Sequence, residues 1–273
     1  MLKKMLHNVR ETTPLIHNIT NYVTVNDCAN ALLACGGSPI MADDPDDAEE
    51  ITAICGGLNL NLGTLNVRTI PAMFAAGKKA AELNHPIVLD PVGAGASSLR
   101  TDTAARLLDS LKITAVRGNI SEVKTLALGS GSTKGVDADV ADAITAETLA
   151  QTADFARKFA AKSNAIIIIT GAIDIVADAD RTYCIYNGNP MMSKVTGTGC
   201  MLSAITAAYL TANPSTPLEA SAAAVISMGL CGELAFHRLT KKEGNATYRN
   251  YIIDEIYHLD EETLEGGARY ELH

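Results

Sequence analysis

The sequence predicts an α/β fold in which a mainly parallel central sheet carries helices on both faces. Short β-branched apolar runs ending in Asp, Asn or Gly recur along the chain, as they do in parallel strands buried on both sides. Between them lie longer stretches with small residues on one face and charges on the other, the pattern of amphipathic helices. Strand, helix, strand in succession calls for right-handed crossovers that lay the helices on the sheet. No repeat, low-complexity tract or Pro/Gly/Ser-rich linker divides the 273 residues, so a single domain spanning 1–273 is expected.

The elements follow in order. "ADDPDDAEE" (42–50) reads as a solvated helix start, with Asp44 capping and Pro45 in the first turn. "RTIPAMFAAGKKAAELN" (68–84) is helical, and "HPIVLDPVG" (85–93) and "ITAVRGN" (113–119) are strands. "ITAETLAQTADFARKFAAKS" (144–163) is a second helix, followed by the strand "NAIIIITG" (164–171). "RTYCIYNGNP" (181–190) predicts an antiparallel hairpin turning at Asn187-Gly188. "KVTGTGC" (194–200) is a tight turn into the helical "MLSAITAAYL", and the chain from about 199 onward is mostly helical. Ligands of such sheets bind beyond the carboxyl ends of the strands, where Asp90, Arg117, Asn119 and Thr170 fall.

Lysine and arginine number 22 against 31 acidic residues, a formal charge of −9. That balance disfavours a general binder of nucleic acid or anionic membrane. The opening "MLKKMLHNVRETT" lacks the apolar core of a secretory signal, and no run approaches the roughly 18 apolar residues of a membrane span. A cytoplasmic location is expected. The six cysteines are scattered without a CxxC pair, which points to small buried hydrophobes rather than a zinc site or a disulfide framework.

Any bound anion must therefore be held locally. "GSGSTKG" (129–135) fails as a Walker loop, because Lys134 stands where the second glycine belongs. "VGAGAS" (92–97) fails as a dinucleotide fingerprint, because Ser98 takes the third glycine position. "TGTGC" is different. Gly197, Thr198 and Gly199 offer consecutive backbone N–H groups at a helix start, an anion hole aligned with the helix dipole. In "NISE", Asn119 and Glu122 are three apart, close enough on a starting helix to face one ligand, and close as well to a capping box.

The stretches "HNITNYVTVNDCANALLACGGSPIM" (17–41), "NLGTL" (61–65), "LDPVGAGAS" (89–97), "RGNISEV" (117–123), "TGAIDIVAD" (170–178) and "KVTGTGC" occur in one order along the chain. Together they resemble the hydroxyethylthiazole kinase family of the ribokinase-like superfamily. The resemblance implies a ribokinase-like three-layer sandwich and transfer of phosphate from ATP, with Mg²⁺, to the hydroxyl of 4-methyl-5-(2-hydroxyethyl)thiazole in thiamine salvage. It also implies a homotrimer with active sites between subunits. Position by position, it assigns the nucleotide to Arg117 and Thr170 and the thiazole to Met41 and Gly197, with Val25 and Asn26 as further candidates. Glu122 and Asn119 correspond to the pattern that organises Mg²⁺; Asp90 either assists the metal or fixes the "DPVG" loop. His17 reads as structural. Cys200 stands where related sugar kinases, and the neighbouring hydroxymethylpyrimidine kinases and hydrate dehydratases, carry the aspartate that takes the hydroxyl proton. As a catalytic residue it is a weak base helped by a helix N-terminus; otherwise it shapes the pocket.

Overall fold

In the computed structural model, which describes residues 1–129, 144–145 and 147–273, nine strands form one sheet. They are β1 (Leu15–Ile19), β2 (Ser38–Met41), β3 (Gly57–Asn61), β4 (Ile87–Asp90), β5 (Ala115–Asn119), β6 (Ile166–Thr170), β7 (Asp174–Ala177), β8 (Thr182–Ile185) and β9 (Tyr270–Leu272). Their spatial order is β2-β1-β3-β4-β5-β6-β7-β8-β9. Pairing is parallel from β2 through β6 and antiparallel from β6 to β9. The helices are α1 (Leu2–Thr12), α2 (Val25–Cys35), α3 (Ala48–Ile54), α4 (Thr69–Glu82), α5 (Ser98–Ser110), α6 (Ile120–Leu128), α7 (Leu149–Ser163), α8 (Thr198–Ala212), α9 (Pro217–Arg238), α10 (Asn245–His258) and α11 (Glu261–Gly267).

Strand periodicity divides the apolar residues between two cores. Val88, Ile166 and Ile168 pack with α1, α2, α8, α9 and α10 on one face. Their neighbours Ile87, Leu89, Ile167 and Ile169 pack with α4, α5 and α7 on the other. Successive side chains of a strand point to opposite faces, so unbroken runs such as "IIII" satisfy both layers at once. The three-layer sandwich is the expected one, with β2 and β9 as its two edges.

Three expectations need adjustment. The antiparallel strand lies where the hairpin was predicted, but the tight turn joins β7 to β8 at 178–181, where Asp178 Oδ1 accepts the Asp180 and Arg181 N–H groups. Asn187-Gly188 follows β8 instead. Asp44 turns the chain by accepting the Asp46 N–H at 3.0 Å and pairs with Arg68, while α3 itself begins after Asp47. Among the described residues one helix, α9, is long and apolar enough to cross a membrane by length and composition, contrary to the reading of the runs; 83% of its apolar window is buried inside the molecule. It packs between α8 and α10 as a core helix. The 129–135 loop lies outside the described residues beyond Gly129.

Candidate active site

Five parallel strands end on the same side of the sheet and deliver polar residues there. Asn18 comes from β1, Asn61 from β3, Asp90 from β4, Arg117 and Asn119 from β5, and Thr170 from β6. Helix α8 runs through the core, fully buried from Met201 to Leu210, and brings its N-terminus to these strand ends. The turn ahead of it needs both of its glycines. Gly197 has φ +92°, a left-handed conformation that favours glycine, and a Cβ there would also stand 2.5 Å from Thr24 Cγ2. A Cβ at Gly199 would collide with the Arg117 guanidinium. The first intrahelical bond runs from the Met201 N–H to the Gly197 carbonyl at 2.8 Å, and no side chain caps the helix. The N–H groups ahead of it are thus available to an anion, with the positive end of the helix dipole behind them.

A buried polar network lies beneath this turn. Asp90 is fully buried, and its Oδ2 accepts from Asn61 Nδ2 at 2.7 Å, Ser203 Oγ at 2.8 Å and Arg117 Nη1 at 3.1 Å. Its Oδ1 has no partner. Burial pushes the Asp90 carboxyl up, against the Arg117 charge. Burial alone would lower Arg117, yet Asp90 and Glu122 hold its guanidinium above the ordinary value. Removing one member of a buried pair like this costs about 3–5 kcal/mol, because it strands the other charge. Arg117 also reaches Thr170 Oγ1 through Nη2 at 3.2 Å.

Cys200, in the first turn of α8, is joined to this network through its sulfur. Sγ accepts from Asn21 Nδ2 at 3.2 Å and Asn61 Nδ2 at 3.3 Å, and Asn21 is tied to Asn61 Oδ1 at 2.9 Å. Burial pushes the thiol up and the nearby Asp90 adds to the rise, outweighing Arg117 and the hydrogen bonds. The helix N-terminus therefore does not leave it the low-lying thiol that sequence position suggests.

Glu122 is clasped by backbone. Its Oε1 accepts the Gly93 N–H at 2.8 Å and its Oε2 the Asn119 N–H at 2.9 Å, while Asn119 Oδ1 accepts the Glu122 N–H at 2.9 Å. This is a complete capping box at the start of α6. Burial and the Asp90 charge hold the Glu122 carboxyl above its usual range. The donor set nevertheless fits Mg²⁺. Asp90 Oδ1 is an orphaned buried acceptor, and the oxygens of Glu122 keep unused lone pairs. Among the described residues no group of three or more His, Cys, Asp or Glu could hold a metal. Mg²⁺ keeps several waters and takes other oxygens from phosphate, so one or two carboxylates suffice to hold it.

The turn lines one cavity, and a second is lined by Val25, whose neighbour Thr24 lies against Gly197. The larger, about 480 Å³, has Arg117, Thr170, Thr198 and Gly199 at its polar end, and Leu202, Val225 and Met228 as apolar lining. Asp174, at the start of β7, also lines it; packing around its carboxyl pushes it up to about 7, despite the Gly171 N–H it accepts and the Arg117 charge. The smaller cavity, about 220 Å³, includes Met41, Val25, Asn18, Thr20 and Tyr22 in its lining. Gly197 lies against Thr24, next to Val25. Asn26 is exposed on α2, accepts from Asn30 at 3.1 Å, and lines neither cavity. His17 is buried behind the smaller cavity and bonded to Thr52 and the Ala42 carbonyl; burial lowers its pKa, in keeping with a structural role. Asn21, Asn61, Ser203 and Asp174 were not singled out by sequence. Asn61 carried the one usable signal, an Asn at a strand end before a glycine turn.

The chain is similar to known proteins over nearly its whole length. The model of the hydroxyethylthiazole kinase family matches residues 6–262. A hydroxyethylthiazole kinase of Clostridium acetobutylicum is 63% identical over 271 residues, covering 99% of each chain. The structure of a hydroxyethylthiazole kinase protein from Pyrococcus horikoshii OT3 superposes with a TM-score of 0.89 at 33% identity, covering 100% of this chain and 98% of that one. An ADP/ATP-dependent NAD(P)H-hydrate dehydratase from Bacillus subtilis, co-crystallized with ATP/Mg²⁺, is similar in fold at a TM-score of 0.57 and 14% identity, covering 91% and 90%.

Proposed function

The chain belongs to the hydroxyethylthiazole kinase family, and from that premise we propose how its two cavities carry out the family's reaction. It is a phosphotransferase with an alcohol acceptor, built on the ribokinase-like sandwich, that phosphorylates 4-methyl-5-(2-hydroxyethyl)thiazole with ATP in thiamine salvage. In our reading the larger cavity takes ATP, with its phosphates toward Arg117, Thr170 and the N–H groups of Thr198 and Gly199. The smaller cavity takes the thiazole against Met41, Val25 and the Gly197 turn. The observation that carries this is the position of the α8 N-terminus: Thr198 and Gly199 line the larger cavity while Gly197 abuts Thr24 beside the smaller one. Cys200 lines neither cavity; it follows Gly199 in the first turn of α8, with its sulfur on Asn21 and Asn61.

Glu122, Asn119 and Asp90 would hold Mg²⁺, largely through water. That ion, when bound, supplies charge neutralisation on the phosphate oxygens. Arg117 spreads its planar fork over phosphate charge, and the α8 N–H groups stabilise charge on the group in transit. The substrate hydroxyl oxygen forms a bond to the γ-phosphorus as the bond from phosphorus to the β–γ bridging oxygen breaks, and ADP leaves with that electron pair. The hydroxyl proton passes to the Cys200 thiolate, which later returns it to solvent. Asn26 remains a candidate only across a subunit boundary, in a homotrimer whose neighbour completes the thiazole site. A cytoplasmic setting belongs to the same proposal and is supported by six free thiols.

A coupled ADP-release assay over a panel of small alcohols tests the reading. ADP release should depend on the hydroxyethylthiazole and stay near background with hydroxymethylpyrimidine. In the same assay Met41→Ala should raise the thiazole KM with kcat little changed, since it removes ring contact rather than contact with the transferring group. An unaltered KM would put the ring elsewhere.

A further inference from the structure

One wall of the larger cavity is built from Asn187, Gly188 and Asn189, and it is held by residues far along the chain. The Gly188 N–H donates to Glu233 Oε1 at 2.6 Å. The buried Asn187 side chain donates to the Gly267 carbonyl at 3.0 Å and accepts the Arg269 N–H at 2.8 Å. Arg269 then closes the frame. Its Nη1 and Nη2 fork onto Glu233 at 2.9 and 2.8 Å, and Nη2 also donates to the Tyr186 carbonyl at 2.8 Å. Glu233 thus receives the wall's own N–H and the guanidinium together. Beyond Arg269, β9 pairs with β8 from Tyr183 to Ile185 and fixes the approach. The match to the family model ends at residue 262, so Gly267, Arg269 and β9 all lie past it.

We propose that this C-terminal segment is a positioning element for the nucleotide, acting through Arg269 and Glu233 to hold the Asn187–Asn189 wall in its binding-ready shape. The proposal rests on the reading that the larger cavity takes ATP. A wall ordered before the ligand arrives spares binding the cost of ordering it. Neither Arg269 nor Glu233 lines either cavity, so the effect reaches the nucleotide only through the wall and falls on its binding rather than on the transfer step.

Arg269→Gln removes the charged fork while leaving the backbone pairing, and a chain ended after Gly267 removes the whole strap. The ATP KM should rise about three- to tenfold in the point variant and further in the shortened chain. The thiazole KM and kcat should stay within about twofold, and Arg269→Lys should recover part of the ATP affinity. A folded Arg269→Gln protein with the parent's ATP KM overturns the proposal. So does an equal rise in both KM values, or a fall in kcat, which would mark general structural support. If the shortened chain does not fold, the point variant decides. Met228→Trp, which fills the cavity, checks the premise separately. If it leaves the ATP KM unchanged, the nucleotide lies elsewhere; if it raises that KM while Arg269→Gln does not, only the bracing role fails.

Discussion

Cys200 concentrates the chemistry of one residue. A base must be deprotonated to act, and burial with Asp90 raises this thiol above its ordinary value. The thiolate fraction therefore grows as pH rises through and beyond neutrality, so kcat should climb toward alkaline pH. Cys200→Ala should lower kcat by about 10²- to 10⁴-fold and flatten that climb. Cys200→Asp, a carboxyl that ionises well below a thiol in the same surroundings, should keep turnover at neutral pH with a shallower climb. An alanine variant that turns over like the parent at every pH would make Cys200 a pocket residue. The sequence made Asp90, Arg117 and Thr170 legible because strand ends are where such sheets place their ligands. It did not reveal the amides that donate to the sulfur. Asn21 lies 179 residues from Cys200 and Asn61 lies 139 away, and no local pattern announces a partnership made only by folding.

Among the elements, α6 carries in one carboxylate both its own cap and the proposed metal role. Glu122 caps the helix and, in the proposed reading, helps hold the metal, so Glu122→Gln should be felt twice. Losing one capping acceptor and a charge at the helix start should cost about 0.5–2 kcal/mol of stability, read by denaturant unfolding. Turnover should fall by about one to three orders of magnitude, with an altered Mg²⁺ requirement. A variant that is destabilised but keeps the parent's rate and Mg²⁺ dependence would leave Glu122 as a cap alone. Strands β4, β5 and β6 could be read directly, because burial on both faces gives continuous apolar runs. β1 and β3 escaped periodicity because they carry His17, Asn18, Asn59 and Asn61, all buried and polar. α7 begins at Leu149, five residues into the stretch read as helix. The Asn187-Gly188 pair carried a hairpin signal that tertiary structure uses otherwise, as a cavity wall bonded to Glu233 and the Arg269 segment.

At the scale of the whole molecule, the rim of the smaller cavity exposes large apolar side chains. Tyr22, Val23 and Val67 are 77%, 59% and 90% exposed, and Tyr22 lines the cavity itself. Large apolar side chains at a cavity rim suit coverage by another copy of the chain, as the proposed trimer would provide. Light scattering should therefore give three times the chain's 28.7 kDa, and Tyr22→Lys should loosen the assembly and raise the thiazole KM together. A stable, fully active monomer would refute shared sites. The two ends of the sheet bear on how such a surface can be left open safely. Pro39 sits in β2 and has no N–H to offer. β9 is three residues long, wholly exposed, and carries the charge of Glu271. Neither rim is the long, flat, donor-rich edge onto which a strand from another molecule can zip. Copies of the proposed trimer would thus meet through side chains, with neither rim offering a backbone template for strand-by-strand growth into a fibre.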